Sequence, residues 1–243
     1  MKKIMVLLLI VSFASCKHKV EIKCTYFPDG KKSSEWTEVN GIKQGQLNTF
    51  YEDGKHKSVT NFFDGVKEGA CFSVFKNGLC GIMSNYKNDL LEGMQLMCDS
   101  NSNLLARWYC VKGKSDGMCC SWYSNGNRRV MINWDKGKQQ GEHTEWYENG
   151  NLKMQSHYKN DTLVGVYKLW FEDGKPSFVL NYNNKGIVEG KSELYYTNGK
   201  IKWVANSKDG FAYGESRFYD SISGALKEIK VFKNGVQISD KKM

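Results

Sequence analysis

The sequence predicts an all-β fold: an elongated single-layer antiparallel array of β-hairpin repeats. Three observations carry that prediction. The 243 residues hold 24 Gly, only 2 Pro and 32 Trp, Tyr and Phe, the composition of a chain made of turns and short strands. The stretch "EWYENGNLK" (145–153) returns as "LWFEDGKPS" (169–177) and as "LYYTNGKIK" (194–202), each an aromatic pair followed by Asn-Gly or Asp-Gly. Two glycine series then run through the chain in step. The first is Gly45, Gly69, Gly93, Gly117, Gly141, Gly165, Gly190 and Gly214, spaced by 24 residues with one interval of 25. The second is Gly30, Gly54, Gly78, Gly126, Gly150, Gly174, Gly199 and Gly224, with Ser102 in the vacant place. Periodicity on this scale is the signature of a repeat architecture.

Each element follows from its residues. Asn-Gly and Asp-Gly between apolar runs predict two-residue type I′ turns, which need positive φ at both positions. A strand such as "LKMQSHY" (152–158) leaves the turn and a looser turn "KNDTLVG" (159–165) follows. A second strand "VYKLWF" (166–171) leads into the next tight turn. Short turns join antiparallel neighbours, so the chain reads as a continuous meander. Two strands per repeat at ~4.8 Å give an advance of roughly 10 Å, so eight or so repeats extend on the order of 80 Å.

Five places after each first-series glycine stand Phe50, Val74, Cys98, Trp122, Trp146, Trp170, Tyr195 and Tyr219. One place later stand Tyr51, Phe75, Asp99, Tyr123, Tyr147, Phe171, Tyr196 and Asp220. Successive strand side chains point to opposite faces, so the two sets cannot share one core. The facing strand adds Phe62, Tyr86, Trp134, Tyr158, Tyr182 and Phe232. One ladder is expected to pack inside the curved sheet, while the other covers the turn ends or lies open. Glycine at the strand entry is expected to let the sheet bend and the next ring approach. We assign Tyr123, Tyr147, Phe171 and Tyr196 to an open binding face and Trp122, Trp146, Trp170 and Tyr195 to structure. The alternation leaves open which side is inward.

The N-terminus is a different kind of segment. Lys2 and Lys3 precede an apolar run over residues 4–11 and small residues up to Cys16. That run is far shorter than the roughly 20 residues a membrane helix needs, so residues 1–15 read as an export signal. The ending "FAS-C" resembles a bacterial lipobox, with Phe13 where a branched aliphatic is usual. The resemblance implies a diacylated Cys16 and a lipoprotein held at the cell envelope, at the outer membrane or its periplasmic face. Residues 16–25 are then a tether, 26–238 the repeat domain and 239–243 a tail. Without residues 1–15 the net charge falls from +9 to +7, spread along the turns.

The units "YENGNLKMQSHYKNDTLVGVYKLW" (147–170) and "YSNGNRRVMINWDKGKQQGEHTEW" (123–146) resemble bacterial variant MORN repeats. The resemblance spans about residues 26–238 and is weakest where Cys98, Asp99 and Ser102 interrupt the pattern. It implies a non-enzymatic scaffold that contacts a protein or an envelope polymer. An antitoxin-like role is a further implication, and it fits poorly with export. Repeats ending in "WYxNG" also resemble choline- and glycan-binding repeats, whose rings cage a cation or stack on sugars. Those units are nearer 20 residues, so the period favours the scaffold.

No catalytic constellation, metal-ligand spacing or cofactor fingerprint is present, and no cofactor or nucleic-acid partner is expected. His143 and His157 lie on adjoining strands as neighbours without ligand spacing. The "YEDG" and "FEDG" acids are turn residues, with no alternating acids to build an oxygen cage. Beyond Cys16 there are seven cysteines, six of them between residues 71 and 120. They read as small buried hydrophobes in the irregular repeats. If Cys16 carries the acyl chains, Cys16→Ser moves the protein from the membrane fraction to the soluble periplasm. Fractionation and immunoblotting check this, and equal membrane retention refutes the anchor.

Overall fold

The computed structural model describes residues 5–7 and 18–243, so Cys16 lies outside the described residues. Among them there is no helix. The chain forms two compact units, the first ending at Asp116 and the second beginning at Gly117. Each is a run of antiparallel strands in which a strand pairs with its neighbours in the chain. In the first unit Ile42–Phe50 pairs with Lys32–Val39 on one side and His56–Phe63 on the other. In the second, Lys138–Trp146 lies between Arg128–Asp135 and Leu152–Lys159 in the same way.

Pairing runs past the expected ends of the array. Val20–Tyr26 is a full strand against Lys32–Val39, and Met5–Leu7 in turn pairs with it, Met5 opposite Cys24. At the other end Val236–Lys242 pairs with Leu226–Lys233 through Lys242 opposite Glu228. This last strand is exposed along its whole length. Its lysines blunt an open edge that would otherwise template another chain.

The two kinds of turn are the reverse of the expectation. At the aromatic turns only the glycine, or Ser102 in its place, is left-handed. The Gly150 amide donates to the Tyr147 carbonyl at 2.9 Å, and the Tyr147 amide donates to the Asn151 carbonyl at 2.8 Å. Gly150 has φ +89°. This is a type I turn closed by a glycine bulge, a loop one residue longer that lets Asn149 keep an ordinary φ. The type I′ turns lie at the other edge: Asn40–Gly41, Asp64–Gly65, Lys112–Gly113, Lys136–Gly137, Asp209–Gly210 and Asn234–Gly235, with both φ values positive. Asn88–Asp89 and Asn160–Asp161 adopt the same turn with no glycine, Asp161 at φ +65°. Asn and Asp tolerate this region best among residues with a Cβ. The 25-residue interval in the first series has a local cause as well. Asn183–Ile187 holds one residue more and closes as a type I turn with Gly186 left-handed, its amide 3.0 Å from the Asn183 carbonyl.

First-series glycines perform the bend. All eight have φ between +71° and +86°. At each the ladder slips: Ile132 pairs with His143 and Trp134 with Gln139, so Asn133 alone faces three residues. A Cβ at Gly45, Gly69, Gly117, Gly165 or Gly214 would meet nothing within 4 Å. Backbone conformation, and not the approach of a ring, therefore requires glycine there. Directly across from the bends stand Phe62, Tyr86, Cys110, Trp134, Tyr158, Tyr182, Ser207 and Phe232. The expected ladder is present, with Cys110 and Ser207 in its two ringless places.

Little of the molecule is core. Among the described residues, fully buried apolar side chains are small or slender, such as Val59, Cys71, Cys110, Met154, Val164 and Ala205. Gln95 is wholly buried beside a bend. Its amide donates to the Gly93 carbonyl at 3.1 Å and accepts from the Asn85 amide at 3.3 Å, serving backbone groups that the slipped ladder leaves unpaired. Gly165→Ala is expected to lower stability by about 1–2 kcal/mol, the cost of left-handed backbone for a residue with Cβ. Gly165→Asn should lose less. Urea unfolding of the full chain measures both, and equal losses would assign the requirement to space instead of φ.

Candidate functional site

The turn edge gathers the paired aromatic side chains. Trp122–Tyr123, Trp146–Tyr147, Trp170–Phe171 and Tyr195–Tyr196 each close a strand before its bulged turn, and all eight are half-buried. The open row expected of Tyr123, Tyr147, Phe171 and Tyr196 is thus not open. A register shift between Glu145 and Trp146 breaks the strict alternation that would have sent Tyr147 outward. The ring instead reaches along the edge to the next repeat. Tyr123 Oη donates to the Trp146 carbonyl at 2.9 Å, Tyr147 Oη to Trp170 at 2.8 Å and Tyr196 Oη to Tyr219 at 3.0 Å. In the first unit Tyr51 Oη donates to Val74 at 2.8 Å. Phe171 has no hydroxyl and makes no such tie.

Turn asparagines repeat the connection. Asn125 Nδ2 and Asn127 Nδ2 both donate to the Glu148 carbonyl, at 2.9 and 2.8 Å. Asn149 and Asn151 do the same to Glu172, each at 2.9 Å. The "NGN" triplet therefore works twice, shaping its own turn and holding the following one.

Cations cover the rings. Six residues after the second ring of a pair comes a basic side chain that lies on that ring: Lys57 on Tyr51 at 5.7 Å, Arg129 on Tyr123 at 5.9 Å, Lys202 on Tyr196 at 5.6 Å. Lys153, in the same place, turns to Glu145 at 3.1 Å. On the bend side Lys43 lies on Trp36 and Phe62, and Lys67 on Tyr86 at 4.9 Å. Each contact is worth roughly 0.5–1 kcal/mol at an exposed site. The basic charge read as spread along the turns is therefore placed at fixed steps, a signal available in the spacing and missed. Rings already covered by the protein's own cations make a poor cage for a choline-like cation.

The titratable groups near the edge serve structure. Tyr195 Oη donates to Glu193 at 2.9 Å, and burial followed by that bond pushes the phenol up to about 12. Glu193 is held below the usual carboxylate range, first by Lys191 at 2.5 Å. Burial pulls the His143 imidazole down against the attraction of Glu145, 3.4 Å away. His143 faces Ser156 while Glu142 faces His157, so the two histidines occupy opposite faces and do not converge. None of the described cysteines forms a disulfide, and Cys24, Cys71 and Cys110 are buried. No cluster of metal-ligating side chains occurs among the described residues.

The exposed apolar surface lies elsewhere. Phe72 faces Met83 across one pair of strands and Met94 faces Tyr109 across another, with Met83 also facing Leu96 between them. Phe72, Met83, Met94 and Tyr109 are 42, 48, 54 and 46 % exposed. The same four places in the repeat at Gly141 hold Thr144, Gln155, Glu142 and His157. Other repeats of the second unit keep apolar residues in two of them, Met118 and Val166 in the place of Met94 and Met131 and Val179 in the place of Met83, so the departure of the first unit lies in Phe72 and Tyr109.

The family model of the MORN repeat variant matches residues 139–160, 163–184 and 188–203. The first two matches run from one turn of the bend side to the next and the third stops within Ile201–Lys208, so these three stretches are similar to the MORN repeat variant. No curated protein matches the chain. Tyr147→Phe is expected to cost about 0.5–1.5 kcal/mol by freeing the Trp170 carbonyl. Phe171→Tyr should add a tie to Tyr195 and raise the melting temperature. Thermal unfolding of both variants checks the pair, and no loss from Tyr147→Phe would remove the tie as a source of stability.

Proposed function

We propose that this chain of MORN-variant hairpin repeats is a non-enzymatic interaction scaffold. It is anchored in the cell envelope through Cys16 and docks a partner protein on the Phe72–Met83–Met94–Tyr109 surface. The joint exposure of those four side chains, with Phe72 and Tyr109 standing where the repeat at Gly141 has Thr144 and His157, carries the reading. Contiguous exposed apolar side chains on a soluble surface mark interaction sites, and Tyr and Phe are strong anchors in them. The net charge of +7 on residues 16–243 favours a partner whose contact rim is acidic. An envelope glycan is the weaker reading, because the paired rings that would stack on sugars are tied to the next repeat or covered by cations.

A photo-crosslinking amino acid at position 94 or 72, with a control at position 142, tests this in intact cells. One discrete protein adduct at positions 94 and 72, absent at 142, is the expected result. Equal labelling at 142, or no protein adduct at either apolar position, would overturn the docking surface.

A further inference from the structure

The opposite face of the same strands carries a different feature. Ser73 faces Ile82 and Ile82 faces Met97, so these three side chains share a face that Phe72 and Met83 do not. On it opens a cleft of about 520 Å³, lined chiefly by Tyr51, Val74, Phe75, Ile82, Met97 and Leu105. Two rows of the repeat lapse together there. The place of the first ring reads Phe50, Val74, Cys98 and Trp122, so two consecutive repeats lack that ring. The basic place six residues after the second ring reads Lys57, Gly81, Leu105 and Arg129, so the same two repeats lack the cation. A Cβ on Gly81 would come within 3.2 Å of the Phe75 ring, so that ring rests on bare backbone.

What remains in the wall is apolar and balanced in charge. Ile82 and Met97 are 44 and 37 % exposed. The charged side chains of the lining are Lys57 and Asp99, one of each sign. The Lys57 ammonium lies on the Tyr51 ring, 5.7 Å from its centroid. The Asp99 oxygens accept from the Asn101 amide and from the Asn103 amide and side chain, at 2.8, 2.9 and 3.0 Å. These bonds, that of the Asn103 side chain first, hold its carboxyl below the usual carboxylate range. A ligand charge of either sign therefore meets one like charge, and gives up its hydration beside an opposite charge that is already engaged. An uncharged body meets neither cost.

We propose that this cleft binds a small uncharged aromatic molecule, seated on Val74, Ile82, Met97 and Leu105 in the space left by the two absent rings. The volume falls within the roughly 300–1,000 Å³ of small-molecule sites. Covering Ile82 and Met97 and lying against the neighbouring rings supply the attraction. Recognition here is independent of the docking surface, because it uses the other face of the strands.

Fluorescence titration of the full chain, with Cys16→Ser to keep it free of acyl chains, tests the site. The probe is N-phenyl-1-naphthylamine, uncharged at neutral pH, and its 8-sulfonate is the matched anion. Saturable binding of the amine is expected, at least tenfold tighter than that of the sulfonate. Cys98→Trp restores a ring of the regular repeats, and Gly81→Lys restores the basic side chain. Each should weaken the amine at least tenfold in a chain that urea unfolding shows to be folded. Met94→Glu, on the docking surface, should leave the amine unchanged. Equal or tighter binding of the sulfonate, unchanged binding of the amine in either folded variant, or an equal loss in Met94→Glu would overturn the proposal. If neither filled variant folds, the comparison of the two probes on the unfilled chain decides alone.

Discussion

Everything in this chain depends on a backbone that turns left-handed once per repeat in mid-strand. An extended strand of L-residues twists gently and gives no reason to fold over its own length. At Gly165 a φ of +71° breaks that continuity, and one residue of the neighbouring strand then spans three. The bend brings Tyr182 opposite the glycine and divides each repeat into two arms. Without it the rings of successive repeats would lie in a flat ribbon with both faces wet.

A sheet of one layer cannot rely on a core, and this one does not. Its buried residues are small, and its large rings are half-covered. Cohesion comes from each repeat finishing the hydrogen bonding of the next, through ring hydroxyls, turn amides and cations on ring faces. Stability of that kind is close to a sum over nearest neighbours, which permits individual repeats to vary. The first unit uses that licence. It gives up the Trp–Tyr pair at Cys98–Asp99, and Asp99 then builds its turn from carboxylate hydrogen bonds instead of a ring.

Much of this was legible in the sequence. The 24-residue step, the absence of helix and the ring ladder opposite the bends all follow from glycine and aromatic positions. The turn types were not, because Asn149–Gly150 and Asn234–Gly235 are the same dipeptide in loops of different length. Only the strand pairing on either side distinguishes them. The third turn series was hidden because Asp89 and Asp161 replace glycine there. The open ring row was misread because the rule of alternating faces was carried through a bulge that cancels it. The cation row was misread because lysine is common enough on any surface to pass for solubilising charge. The carboxylate and amide caps beside the bends, such as Glu68 on the Asn88 amide and Gln140 on the Asn160 amide, escaped for the same reason.

The ties between repeats also have a direction. At the aromatic edge the donors belong to the earlier repeat: Tyr147 and Asn149 reach forward to carbonyls 23 residues on. At the bend-side edge they run both ways: the Asn160 and Asp161 amides reach backward to the Gln140 side chain and the Gln139 carbonyl, and the Gln139 amide reaches forward to the Asp161 carboxylate. The aromatic edge is therefore polar, like a column of hooks and eyes, while the bend-side edge clasps its neighbour reciprocally. A duplicated unit spliced in phase meets a complementary partner on both flanks. One entering half a period out sets an aromatic edge against a bend-side edge, so lengthening by gene duplication is confined to whole steps of the pattern.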